Sequence, residues 1–186
     1  DRNCGLYTQL GTTTARRVKQ FALAAGCGEA TMLFDQQRRL HVAFFAAGEI
    51  HTGTGDVEAG EWNFSRIYSA PRIRSMSLLN SGDLLVLETQ ANAASWQLRR
   101  INPSTQAAVT LRLDDSLRNA QNVRFSSVAA DFGGRIIAVS CCTAGSSNES
   151  GRRFLYSLQL SATDVLSGQP RPVFYFDGPA QAADQV

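Results

Sequence analysis

The strongest constraint on the fold of this chain is an internal repeat. Three segments share one pattern, a short apolar run, a turn opened by an acidic or amide residue, and a second apolar run: 31–45, 75–88 and 127–141. Their turn residues Asp35, Asn80 and Asp131 stand 45 and then 51 residues apart. A period of that length fits a supersecondary unit of four strands that buries its faces by stacking on its neighbours, which is the blade of a β-propeller. The turns Asn80-Ser81-Gly82-Asp83 and Asp131-Phe132-Gly133-Gly134 contain glycines suited to the φ > 0 positions of tight hairpins, whereas Asp35-Gln36-Gln37-Arg38-Arg39 has none.

The spacing predicts all-β architecture, a partial propeller of about three and a half four-stranded blades, with a β-sandwich as the alternative. The expected divisions are outer strands of a preceding blade over 1–28, blades over 29–70, 71–124 and 125–179, and an extended tail over 180–186. Within 1–28, the runs 5–10 and 16–24 read as strands, with a helix over 15–25 competing because Ala, Arg, Lys, Gln and Leu favour it. In the first blade, 49–52 and 62–64 read as weak outer strands. Runs 95–102 and 107–113 complete the second blade, and 153–160 and 172–177 the third. Propellers close with about four to eight blades, so three and a half leave an open ring. The expected partner is another polypeptide, or a further part of the same one, that completes it. The first residue, Asp1, carries the expectation that a segment upstream was removed or left out.

The middle repeat resembles the NHL-type propeller repeat. The glycine-rich stretch 48–55, Pro71, the turn and strand 79–86, the run Leu98-Arg99-Arg100-Ile101 and Thr105 follow that family's order of connector, inner strand, glycine turn and Arg-Ile outer strand. The likeness covers about residues 30–160 and implies a propeller. The chain departs from the family pattern in the first repeat, which lacks the turn glycine. Glu88, the acidic residue after the second strand, is replaced by Ala43 or Phe44 in the first repeat and by Ser140 in the third.

Charge and motifs narrow the function classes. The net charge of +2 comes from dispersed arginines, with Lys19 the single lysine, so no basic stripe marks a nucleic-acid binder. No run approaches the roughly 20 apolar residues of a membrane-spanning helix, so membrane insertion is not expected. Four cysteines, Cys4, Cys27, Cys141 and Cys142, permit disulfides in any of three pairings or stand as small buried thiols. Asn63 and Asn148 begin Asn-x-Ser sequons and are glycosylation candidates, while Pro103 excludes Asn102. Cysteine parity and sequons together point to a secreted or surface protein, with an intracellular assembly as the alternative.

No metal or cofactor is expected. His41 falls inside a strand and His51 in a glycine-rich connector, without metal-pair spacing, and Asp56, Glu58 and Glu61 lack the regular spacing of a calcium loop. Gly53-Thr54-Gly55-Asp56 reads as a connector, since no helix follows to present its N-terminus to phosphate. Hydrolase or lactonase propellers gather carboxylates on inner strands. Here those strands offer apolar residues with Ser75, Ser77, Ser126 and Ser127. The function expected is a non-catalytic interaction or assembly module, with a propeller hydrolase whose catalytic blades lie outside this chain as the alternative. The residues expected at its contact surface are Trp62, Phe64, Arg66, Tyr68, Arg72 and Arg74, because aromatics and arginine dominate interface hot spots.

Overall fold

The computed structural model describes residues 4–8, 16–21, 27–35, 37, 39–55, 62–89, 96–118, 125–130, 135–140 and 155–171. The regular elements among them are strands, apart from one short helix. Sheet I is the meander β3 (Cys27–Phe34), β4 (Leu40–Ala46), β5 (Glu49–Gly55) and β6 (Trp62–Ser69). Sheet II repeats it with β7 (Ile73–Leu78), β8 (Leu84–Thr89), β9 (Trp96–Ile101) and β10 (Ala108–Thr110). Sheet III has β12 (Phe125–Ala130), β13 (Arg135–Ser140), β14 (Leu155–Leu160) and β15 (Val165–Arg171), with β11 (Arg112–Leu113) added parallel to β15. A two-stranded ribbon, β1 (Cys4–Thr8) with β2 (Arg16–Phe21), precedes them. The run after residue 15 is therefore strand, not helix, over its described part.

Each hairpin arises from the same local chemistry. Five residues separate the last paired residues, Phe34 with Leu40 and Leu78 with Leu84. In sheet II the amide of Gly82 donates to the carbonyl of Leu79 at 2.9 Å, and Gly82 takes φ +85°, a conformation a side chain disfavours. Sheet I has no glycine there and uses Asp35 instead. Its Oδ1 accepts the amides of Gln37 and Arg39, both at 2.9 Å, so a carboxylate closes the turn.

Three expectations are corrected. The strand expected over 49–52 runs on through Gly55 as β5, so His51 and Gly53–Gly55 lie within sheet I and not in a connector. The run 107–113 does not stay in one sheet. Leu111 is buried, its amide donates to Leu98 at 2.8 Å, and the chain then crosses to sheet III as β11. The fourth strand of sheet III is β15, not 172–177, which lies outside the described residues. After β11, Asp114 Oδ1 caps the helix α1 (Asp115–Arg118) by accepting the Leu117 amide at 3.1 Å, and Leu117 is buried in the core.

Cores lie between sheets. Leu78, Leu84, Val86 and Met76 of sheet II meet Ala43, Ile50 and Ile67 of sheet I, with Leu33 and Phe45 packed alongside. Leu85, Leu87 and Leu98 of sheet II meet Val128, Ile136 and Leu158 of sheet III. The alternation of apolar residues on both faces of β8 follows from its position between two neighbours. The inner strands β3, β7 and β12 are neighbours in that order.

The candidate interaction face

Register across sheet I defines its outer face, the one turned away from sheet II. Residues directly opposite in antiparallel pairs share a face, so Phe34, Leu40, Gly55 and Trp62 form one row, and Met32, Val42, Gly53 and Phe64 the next. Leu40, Val42, Phe44 and Ala46 are buried on this face, with Trp62 and Phe64 packed against them. Trp62 stacks on Phe64 with centroids 5.9 Å apart, Phe64 meets Phe44 edge-on at 5.6 Å, and Phe44 stacks on His51 at 5.1 Å. Gly53 makes this possible: a Cβ there would stand 2.6 Å from the Phe64 ring.

The inner end of the same face is bare. Met32 is 61% exposed and Phe34 55%. Register places Met76 and Val128 at the position of Met32, and Leu78 at that of Phe34, in the other two sheets. There the exposures are 6%, 3% and 7%. Equivalent positions of the repeat are thus covered in the two later sheets by the sheet before them and uncovered in the first.

The remaining expected contact residues do not share one surface. Arg66 lies exposed beside the aromatic row, opposite His51, where it binds Glu49 at 2.8 Å. The Arg66 guanidinium holds the Glu49 carboxyl below its ordinary range, and Glu49 in turn raises Arg66. A bulge at Ile67 turns Tyr68 to the other face of β6, into the seam with sheet II. There Tyr68 donates to Glu88 Oε2 at 3.1 Å, and Arg99 Nε donates to Glu88 Oε1 at 2.6 Å. Burial first, and the Glu88 carboxylate second, push the Tyr68 hydroxyl above its ordinary pKa. Arg72 is exposed on the link between sheets I and II, and Arg74 is half-buried in β7. Asn63 is exposed on β6. Cys4 opens β1 and Cys27 opens β3, while Cys141, Cys142, Asn148, Asp56, Glu58 and Glu61 lie outside the described residues.

Sequence reading missed two polar constellations. Asp35 Oδ2 lies 2.9 Å from His41 Nε2 and accepts Arg39 Nε at 2.9 Å, while His41 Nδ1 faces Thr54 Oγ1 at 3.1 Å. The His41 contact first, with the Arg39 amide and guanidinium adding to it, holds the Asp35 carboxyl well below the usual range. Asp35 and His41 border a cleft of about 540 Å³ between the turns of sheets I and II, lined also by Leu33, Phe34, Leu79 and Asn80. The Asp35 carboxylate orients the His41 ring, and its other oxygen is committed to closing its own turn.

The second constellation joins sheets II and III. Ser75 Oγ donates to the Val128 carbonyl at 3.1 Å and accepts the Val128 amide at 3.2 Å, and Ser77 Oγ accepts the Ala130 amide at 2.9 Å. Arg100 Nη2 stands 2.9 Å from Asp164 Oδ1 across the same seam.

Among solved structures the chain is similar to TolB from Acinetobacter baumannii, with a TM-score of 0.53, 11% identity, and coverage of 89% of this chain and 35% of that one. It is also similar to a GH43 β-1,3-galactosidase crystallised with galactodeoxynojirimycin, with a TM-score of 0.51, 8% identity, and coverage of 82% and 48%. Both are β-propeller proteins. The fold is a partial β-propeller. Sheets I to III are its blades, stacked face to face with β3, β7 and β12 innermost. The chain spans about a third and about a half of these two propeller chains. No protein-family model and no curated protein sequence matches it.

Proposed function

We propose that the chain is part of a non-catalytic interaction or assembly module, in which the bare inner end of the first blade receives further propeller sequence. One observation carries this reading: Met32 and Phe34 are exposed at 61% and 55%, where their counterparts Met76, Leu78 and Val128 are covered. Exposing an apolar pair costs roughly 25 cal/mol for each Å² that a neighbour would bury, which is the driving force for docking. The seams inside the chain supply the template for the docked element, an inner hairpin with aliphatic side chains facing Met32 and Phe34.

A catalytic reading needs several carboxylates around the inner strands. Among the described residues of β3, β7 and β12, Glu29 is the single carboxylate, and the hydroxyls of Ser75 and Ser77 are bonded to backbone of the next blade. That favours the interaction reading over a hydrolase. The exposed position of Asn63 on β6 suits a glycan, and supports placing the module in a secreted or surface protein.

The test is a photo-crosslinking residue at position 34, with position 109 on the outermost strand of the second blade as control, in the protein expressed in its native source. Crosslinks from 34 to β-propeller polypeptide, absent from 109, are the expected result. Failure of position 34 to crosslink to any polypeptide would contradict the proposal.

A further inference from the structure

The blade junction between sheets II and III has two halves. The receiving half is Val128 and Ala130 on β12. The offering half is Ser75 and Ser77 on β7, whose hydroxyls bind the backbone of Val128 and Ala130, and Leu85 on β8, which is fully buried. Met76 and Leu78 are the receiving half of the junction between sheets I and II, where they are buried against sheet I.

Both halves recur at opposite ends of the array, although the Ser127 hydroxyl also lies 3.4 Å from Ser75 Oγ within the chain. Met32 and Phe34 are the receiving half of the first blade. In the third blade, register puts Ser127, Ala129 and Ile137 at the positions of Ser75, Ser77 and Leu85. Ile137 is 38% exposed, where Leu85 is 0%, and Ser127 and Ala129 are exposed as well. A hydroxyl residue, a small residue and an aliphatic are preserved in order. The chain therefore carries, on one surface each, the two sides of a contact that it already makes internally.

Resting on the reading that the bare end of β3 receives propeller sequence, we propose that its occupant is a second copy of this chain. The Ser127, Ala129 and Ile137 face of one copy docks head to tail on the Met32 and Phe34 face of its partner, and the reciprocal contact closes the ring. Head-to-tail contacts either close or run on as filaments. Two arrays of three blades make six, inside the range of about four to eight over which propellers close.

Sedimentation velocity on the 186-residue chain, with Met32→Glu and Ile137→Glu variants, tests this. The wild type is expected to form a discrete dimer that dissociates on dilution. Each variant alone is expected to weaken dimerisation by at least about a hundredfold, because a carboxylate is buried against apolar side chains without a partner. Both sites are exposed within one copy, so the variants keep their fold, checked by an unchanged far-ultraviolet dichroism spectrum. An equimolar mixture of the two variants retains one intact pair of faces, and is expected to form heterodimers that neither forms alone. A wild-type monomer up to about 100 μM, where standard-sized interfaces associate, overturns the proposal, as does a dimer that Ile137→Glu leaves intact. A monomer whose position 34 still crosslinks to other propeller sequence removes the second copy and leaves the proposed function standing. A monomer whose position 34 crosslinks to nothing removes both.

Discussion

The hydroxyl of Ser75 sits between the amide nitrogen and the carbonyl oxygen of Val128, 3.2 Å from one and 3.1 Å from the other. A single buried side chain thereby satisfies both backbone groups of an inner-strand residue in the next blade. Ser75→Ala leaves a buried N–H and C=O unpaired, and is expected to cost about 1–3 kcal/mol. Hydrogen exchange at the Val128 amide should accelerate by a larger factor than at amides of sheet I. A uniform acceleration across the chain would mean that the bond does not join the blades locally.

Glu88 is 5% exposed and shared by Tyr68 of the first blade and Arg99 of the second. Tyr68→Phe removes one hydrogen bond from the carboxylate and is expected to cost about 1–2 kcal/mol. Glu88→Ala strands a half-buried guanidinium and is expected to cost about 3 kcal/mol or more. Urea denaturation of the two variants reads both, and equal costs would show that Arg99 is solvated in place of paired.

Gly53 lies under the Phe64 ring, and an added Cβ would also stand 2.8 Å from the Asn63 carbonyl oxygen. Gly53→Ala should therefore destabilise by about 1–3 kcal/mol, the usual cost of overpacking. Adding Phe64→Leu should recover part of it, since the obstructing ring is then gone. Additive losses in the double variant would contradict the close approach.

Asp35 predicts acid sensitivity. Its folded-state pKa lies below its unfolded value because His41 and Arg39 favour the carboxylate. A depressed carboxyl contributes stability above its unfolded pKa and loses it as pH falls toward the folded one. Stability should thus decline below about pH 4–5, and Asp35→Asn should flatten that decline while leaving the neutral-to-alkaline profile parallel to the wild type. An unchanged acid limb would rule out Asp35 as a contributor.

Much of the architecture is legible in residue order, because hairpin turns and apolar alternation are local. The 45- and 51-residue spacing of Asp35, Asn80 and Asp131 reflects four-stranded units directly. What escaped has physical causes at a distance. Gly53 and Gly55 resemble a connector until Trp62 and Phe64 are seen lying across them. Leu111 carries no signal that it ends one sheet's strand and sends β11 to the next. By alternation Tyr68 belongs with Trp62 and Phe64, but the bulge at Ile67 reverses its side. Met32 and Met76 look alike in sequence, and only packing separates a covered methionine from a bare one.

That pair offers the most direct measurement. Met32 and Met76 are the chain's two methionines, so oxidation by hydrogen peroxide, followed by mass spectrometry, reads the bare face against an internal control. In dilute, isolated chain Met32 should form sulfoxide at least about tenfold faster than Met76, following their exposures of 61% and 6%. In the assembled protein Met32 should slow to the rate of Met76. Equal rates in the isolated chain, or a Met32 that stays fast in every assembled form, would contradict a docking face on the inner strand of the first blade.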